Sequence, residues 1–325
     1  MAKITVIIPA YNAATTLTRT VQSVLAQTLR DIKVIIVDDG ATDATPKLAD
    51  DLAESDERVM VIHQSNTGCY GARLAGMKKV QTKYFGFVDA DDYIAPTMYE
   101  KLYNFVEENN LDIAQCNWRG GDVSSKVFNT REVILKEIVM PRLIEGVDAM
   151  LVWDKLYRNQ YDFGSWVDGY FGTYEDLIHN MQLFLPVSRV GYLNEKLYSY
   201  EVSALSATRN FPRNDVAAMR KVIQSHTDLA MRYDLPNGVV QDLASKWTIT
   251  NAKNAIILVC SVKAPSWNVR LSYVRELIEM PELCDALSRC SISFGWFIRV
   301  FKFLPLAFSV FVVRMMKKAQ MWVRR

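Results

Sequence analysis

Through residue 118 the chain alternates short apolar runs with segments of helical period. Lys3–Ile8 is a run stopped by Pro9. Leu17, Val21, Val24 and Leu25 recur at helical spacing within 14–27. Lys33–Val37 is a second apolar run, closed by Asp38-Asp39-Gly40. The helix after it can be capped by Thr42 or Asp43 and turns Leu48, Leu52 and Ala53 inward. Val59–His63 reads as a third strand, 69–80 as a helix and Tyr84–Val88 as a fourth strand. Pro96–Glu108 reads as a helix with proline near its first turn, and Asp112–Asn117 as a fifth strand. Strands apolar on both faces, alternating with helices, predict an α/β fold whose mostly parallel sheet is covered on both sides.

After 119 the pattern weakens. A helix is expected over 131–145, short strands at Leu151–Leu156 and Lys196–Glu201, and a helix over Tyr174–Leu185. From about 213 the chain reads as helix: Val216, Met219, Val222 and Ile223 share a face, and further helical runs cover 238–262 and 268–279. The shift near 210 predicts a sheet domain over 1–210, a helical extension over 211–290 and a distinct tail over 291–325.

The composition is ordinary for a globular chain, with 50% hydrophobic and 23% charged residues in 325. The net charge of +2 conceals an asymmetry. No acidic residue follows Asp285, whereas Arg289, Arg299, Lys302, Arg314, Lys317, Lys318, Arg324 and Arg325 are basic, which leaves about −6 for residues 1–288. Cys69, Cys116, Cys260, Cys284 and Cys290 are odd in number and contain no C-x-x-C, so reduced thiols are expected. The N-terminus enters a strand pattern at once and lacks the sections of a signal peptide, which predicts a cytoplasmic protein.

The tail is aromatic and basic. Its uncharged run, Phe303–Val313, is interrupted by Pro305 and falls short of the roughly 20 residues that span a bilayer. Flanking cations suit it instead to an anionic membrane surface, which predicts a peripheral protein at the inner face of the cell membrane. Nucleic acid is a poor partner, because the tail is mostly apolar and no nucleic-acid motif accompanies it.

The chemistry concentrates where strands end. Asp89-Ala90-Asp91-Asp92 closes the fourth strand. In an extended chain Asp89 and Asp91 share a side, and two hard oxygen ligands there suit a divalent cation carrying a phosphate ester. Open α/β sheets bind ligands at that edge. Pro9-Ala10-Tyr11-Asn12, Asp38-Asp39-Gly40 and Asn66-Thr67-Gly68 fall at the same edge. Tyr11 offers a flat face for a base, Asp39 can accept from a ring N–H, and Arg73 can approach a diphosphate. The glycines at 71 and 76 lack the Lys and Ser/Thr of a phosphate loop, and no G-x-G-x-x-G opens the first helix.

These segments resemble family 2 glycosyltransferases of the GT-A type. Val6–Asn12 is similar to the family's opening strand, and Val37-Asp38-Asp39-Gly40-Ala41-Thr42-Asp43-Ala44-Thr45 to its VDDGSTDGT. Asn66-x-Gly68-x-x-x-Ala72-Arg73-x-x-Gly76 is similar to NxGxxxARNxG, Asp89–Asp92 to DxDD, Trp153–Tyr157 to WNKLY, and Tyr174-Glu175-Asp176-Leu177 to the ED segment. The resemblance covers roughly residues 3–210. It implies a GT-A nucleotide-diphospho-sugar transferase fold, with a nucleotide-binding half over 1–118, an acceptor half over 119–210 and a helical C-terminal extension. It implies nucleotide contacts from Pro9, Tyr11, Asn12, Asp38, Asp39, Asn66, Arg73, Asp89 and Ala90, with Pro9, Tyr11 and Asp39 on the nucleoside. It implies Mg2+ or Mn2+ on Asp91 and Asp89, Asp176 as base with Glu175 beside it, and Trp153 and Lys155 near the sugar or acceptor.

Four positions depart from the family pattern: Ala41 for Ser, Asp154 for Asn, Tyr174 for Gly, and Glu201 where an arginine-rich segment is common, with Arg209 as a substitute. His63, His179 and His226 show no metal spacing. The expectation is an inverting, metal-dependent transferase moving a sugar from a nucleotide-diphosphate donor, UDP-linked, to a hydroxyl of a surface glycan or lipid-linked acceptor. A homo-oligomer is compatible with it. The alternatives are a catalytically silent, membrane-docked assembly subunit and a sugar nucleotidyltransferase.

Overall fold

The computed structural model of the chain describes residues 1–118, 124–134, 151–167, 175–201, 215–233, 237–261 and 266–323. It divides into two compact units, the first holding the described residues through Glu201 and the second those from Asp215 onward. The extension and tail expected over 211–290 and 291–325 fall together in the second unit.

The first unit is built on an eight-stranded sheet. Strand β1 (Ile4–Ala10) lies between β2 (Ile32–Asp39) and β4 (Tyr84–Phe87), with β3 (Val59–Gln64) outside β2, all parallel. Every residue of β1 is buried, and each fully buried Ile or Val there contributes roughly 1.5–3 kcal/mol of transfer free energy. The crossovers carry helices α1 (Leu17–Leu25), α2 (Thr45–Ser55) and α3 (Gly68–Met77). A Cβ on Gly76 would lie 2.5 Å from Cγ2 of Ile7, so this glycine lets α3 press onto β1.

Beyond β4 the sheet is mixed. Strand β5 (Tyr93–Ile94) leaves the main sheet and is followed by α4 (Met98–Asn109), β6 (Ile113–Asn117), β7 (Lys126–Phe128) and the short α5 (Arg131–Ile134). Strand β8 (Lys155–Arg158) wedges between β4 and β6, antiparallel to both. After α6 (Glu175–Phe184), β9 (Val190–Lys196) pairs parallel to β6 and antiparallel to β7, and β10 (Tyr198–Ser199) pairs with β5. The strand expected at Leu151–Leu156 thus starts at Lys155 and ends at Arg158. The one expected at Lys196–Glu201 is replaced by β9 and β10. The polar Asn194-Glu195-Lys196 end of β9 hid it from apolar patterning, because β9 packs beside β6 with only its first two residues fully buried. The helix expected over 131–145 is described only through Ile134.

The second unit is helical: α7 (Asp215–Arg232), α8 (Asn237–Ser261), α9 (Trp267–Ile278), α10 (Pro281–Arg289), α11 (Ile292–Phe303) and α12 (Leu306–Val323). Trp247, Ile256, Val259, Leu277 and Leu283 lie in its core.

Candidate active site

Because β1 to β4 are parallel, their carboxyl ends meet at one edge of the sheet, and the sequence motifs follow directly from them. The loop after β1 is tied to the loop after β2. Asn12, in the left-handed region at φ 50°, accepts from the Thr42 amide at 2.8 Å, and the Ala13 amide donates to the Thr45 hydroxyl at 2.7 Å. Asp38 accepts from the Ala41 amide at 3.0 Å, so this turn closes without the serine hydroxyl of the family pattern. Gly40 has φ 69°, and a Cβ there would stand 2.8 Å from the Asn66 nitrogen, which makes the approach of the two loops dependent on glycine. Tyr11, Asn12 and Asn66 are exposed, while Pro9 is buried in β1.

Asp39 is buried and its carboxylate opens α3. It accepts from the Thr67 amide at 2.9 Å, the Gly68 amide at 2.9 Å and the Gln64 side chain at 2.7 Å, satisfying amides that a helix start otherwise leaves open. Asp38 meets the imidazole of His63 at 2.9 Å, and the other ring nitrogen meets Asp50 at 3.0 Å. Hydrogen bonding to both carboxylates, Asp38 first, raises the imidazole pKa.

The Asp89–Asp92 segment is a turn, not an extended strand end. The Asp92 amide donates to the Asp89 carbonyl at 3.0 Å. Strand pairing stops at Phe87, so alternation of side chains no longer governs where the carboxylates point, and the expectation that Asp89 and Asp91 share a strand face is corrected. Thr20 on α1 fastens the turn by donating to the carbonyls of Ala90 and Asp92, and Arg19 donates to the Asp91 carbonyl at 2.8 Å. Asp92 is fully buried. Its carboxylate accepts from the Tyr198 hydroxyl at 2.7 Å and the Glu201 amide at 2.8 Å. Desolvation, then the charge of Asp89, pushes it up to about 8. Asp91 is half-buried, and its carboxyl is raised by desolvation first and then by Asp89.

Arg73 joins this turn to α6. Its guanidinium is 2% exposed, with Nη2 2.8 Å from Asp89 and Nη1 2.5 Å from Asp176. Glu175, the neighbour of Asp176, accepts from the Tyr70 amide at 3.0 Å. Burial is the largest influence on both acids. It pushes Glu175 up to about 7 against the opposing charge of Arg73, with Asp176 adding to the rise, and it raises Asp176 as well. His179 is fully buried, 4.3 Å from the Tyr70 ring between centroids, and burial holds its pKa well below the usual imidazole range.

Trp153 and Lys155 are both buried. The Lys155 ammonium donates to the Asp154 carboxylate and the Leu151 carbonyl, while Asp154 also accepts from Gln115 at 2.8 Å. The ammonium expected near the sugar is enclosed by its own neighbours. Trp153 stacks on Tyr198 at 4.0 Å and runs parallel to the exposed Tyr200 at 5.9 Å, with Trp118 edge-on to both Trp153 and Tyr200.

The structure therefore groups Asp89, Arg73, Glu175 and Asp176 in one cluster, with Ala90, Asp91 and Asp92 in the adjoining turn. Asp39 and Asn66 belong to the start of α3, and Trp153 to the wall behind Tyr198. Sequence reading missed Thr20, Tyr70 and Tyr198, because each contributes through a contact more than 65 residues away along the chain. Tyr174 and Arg209 lie outside the described residues. Among the described residues no group of three or more His, Cys, Asp and Glu side chains is arranged to hold a metal ion.

Residues 5–163 match glycosyl transferase family 2. The chain is 32% identical over 215 residues to EpsJ of Bacillus subtilis, an uncharacterized glycosyltransferase, covering 63% of this chain and 62% of that one. It is 30% identical over 228 residues to the glycosyltransferase GlyA of Streptococcus pneumoniae, covering 64% of this chain and 32% of that one. The chain thus spans less than two thirds of the length of both relatives. Among solved structures, Staphylococcus aureus TarS 1-349 in complex with UDP-GlcNAc superposes with a TM-score of 0.67 at 16% identity, over 98% of this chain and 92% of that one. The mannosyltransferase PcManGT of Pyrobaculum calidifontis, in complex with GDP-Man and Mn2+, gives a TM-score of 0.51 at 12% identity, over 99% and 88%. The fold is that of GT-A glycosyltransferases, and residues 5–163 carry the match to glycosyl transferase family 2.

Proposed function

We propose that the chain transfers a sugar, with inversion, from a UDP-linked donor to a hydroxyl of a glycan or lipid-linked acceptor. The observation that carries this reading is the Arg73 fork, which ties a carboxylate of the DxDD turn to Asp176 of α6. One buried cation thereby sets a donor-side acid and a candidate base in a single cluster. The complexes of TarS with UDP-GlcNAc and UDP support a UDP-linked donor.

Asp91 suits a divalent cation, since its carboxyl is half-buried, crowded by Asp89 and raised by both. With Asp89 beside it, Asp91 would hold Mg2+ or Mn2+, which supplies Lewis-acid stabilisation of the leaving diphosphate. The exposed Tyr11 ring offers a face for the base of the nucleotide. Asp176 takes the proton of the acceptor hydroxyl as that oxygen attacks the anomeric carbon and the bond to the diphosphate breaks. Arg73 holds the base in place, and desolvation at α6 raises its affinity for a proton.

The test is calorimetry of the purified chain with UDP and Mn2+, followed by turnover of a panel of nucleotide sugars. Saturable, metal-dependent UDP binding and release of UDP from one donor are expected, with Asp91→Ala and Asp176→Asn each abolishing release while the fold persists. Absence of any nucleotide binding would instead support the silent assembly subunit.

A further inference from the structure

Helices α11 and α12 have apolar residues on two sides. Gly295, Ile298 and Phe301 of α11 and Ser309, Val310 and Val313 of α12 are buried within the second unit. A surface helix normally turns polar residues to its other side. Here Trp296 is 60% exposed, Phe308 56%, Phe311 53% and Met315 49%, with Val300 and the joint residue Leu304 also exposed. Trp296 and Val300 are spaced i, i+4, and Phe308, Phe311 and Met315 are spaced i, i+3, i+7, so each set lies on one helix face.

The charge of this segment selects what covers the face. The chain from Ala286 onward holds eight Lys and Arg residues and no Asp or Glu. A second copy laid on the same face would bring two cationic segments together, whereas an anionic lipid surface supplies the missing charge. No helix among the described residues is long and apolar enough to cross a membrane, and α12 carries Arg314, Lys317 and Lys318 within its length. A helix of that kind lies in the plane of the interface with its aromatic side chains down. One cation is taken out of the lipid-facing set: Arg299 donates to the carbonyls of Leu287, Cys290 and Ser291, holding α11 against the end of α10.

We propose that Trp296, Val300, Leu304, Phe308, Phe311 and Met315 form a docking face for an anionic membrane, which places the protein peripherally on the inner leaflet. This is independent of the catalytic reading. The test is flotation of the full purified chain with phosphatidylcholine vesicles, with and without phosphatidylglycerol. Binding is expected only with phosphatidylglycerol, and it should weaken as salt is raised. A Trp296→Glu/Phe308→Glu/Phe311→Glu variant should bind at least about tenfold more weakly, because charges replace the inserted aromatic rings. These positions are exposed, so its circular dichroism and melting midpoint should match the unmodified chain. Lys317→Glu/Lys318→Glu should lose the preference for phosphatidylglycerol. Failure of the unmodified chain to float, equal flotation of the triple variant, or a dimer that the triple variant splits without change in flotation would each overturn the proposal.

Discussion

Nη1 of Arg73 lies 2.5 Å from Oδ1 of Asp176, a residue 103 positions later in the chain. The same guanidinium reaches Asp89 with its other terminal nitrogen, so its planar fork serves two carboxylates at once. Arg73→Lys keeps the charge but supplies a point donor that cannot span both. Truncating one partner of a buried, hydrogen-bonded charge pair costs about 2–5 kcal/mol. Turnover of the donor is expected to fall by at least about 100-fold, near 3 kcal/mol of transition-state stabilisation. UDP binding, measured by calorimetry, should change less than turnover.

The two acids of α6 can be told apart by pH profiles. Burial raises both, Glu175 to about 7. A base must be deprotonated to act, so kcat/KM should rise with pH along a limb lying above the ordinary carboxylate range. With Asp176 as base, Glu175→Gln retains transfer and an acid limb, whereas Asp176→Asn has no transfer to titrate. Loss of transfer in a folded Glu175→Gln protein, together with activity in Asp176→Asn, would move the role to Glu175.

Much of this arrangement was legible beforehand, and the gaps have physical causes. The main-sheet strands through Asn117 announced themselves because a sheet covered on both sides demands apolar runs, and four motifs sat where those runs stopped; the two-residue β5 is too short to show a pattern. Neighbour and direction are not written in apolarity, so the antiparallel insertion of Lys155–Arg158 between β4 and β6 was invisible. The turn at Asp89–Asp92 was not legible either, since short acidic residues fit a strand end and a turn equally well. Asp154 and Lys155 neutralise one another, at the cost of withdrawing Lys155 from solvent. The pairing of Arg73 with Asp176 joins elements that sequence periodicity treats separately.

Asp92 makes a prediction about stability. Its folded pKa, about 8, lies above the unfolded value near 3.8, so the folded state favours the protonated form. The favourable contribution is complete below the unfolded value and is lost as pH rises through the folded one. Asp92→Asn cannot ionise, and its amide can still accept from the Glu201 nitrogen and meet the Tyr198 hydroxyl. Its melting midpoint relative to the unmodified protein should therefore climb steadily between pH 4 and pH 8, as read by thermal denaturation across that series. A constant difference across the series would show that Asp92 does not titrate in this range.

The buried pair of Asp154 and Lys155 predicts a different pattern, one of coupling. Both side chains are fully buried, and β8 begins between them. Lys155→Met removes the cation and leaves the Asp154 carboxylate with the Gln115 amide as its remaining side-chain donor among those described above. Breaking a buried pair from one side costs about 3–5 kcal/mol, because a charge is left uncompensated in a poorly polarisable interior. Asp154→Asn/Lys155→Met removes both charges and keeps an oxygen for Gln115, so the double variant should recover more than half of that loss. Urea denaturation of the two variants measures it directly. A double variant no more stable than Lys155→Met would mean that Lys155 stabilises this strand through packing of its stem and its bond to the Leu151 carbonyl, not through the charge of Asp154.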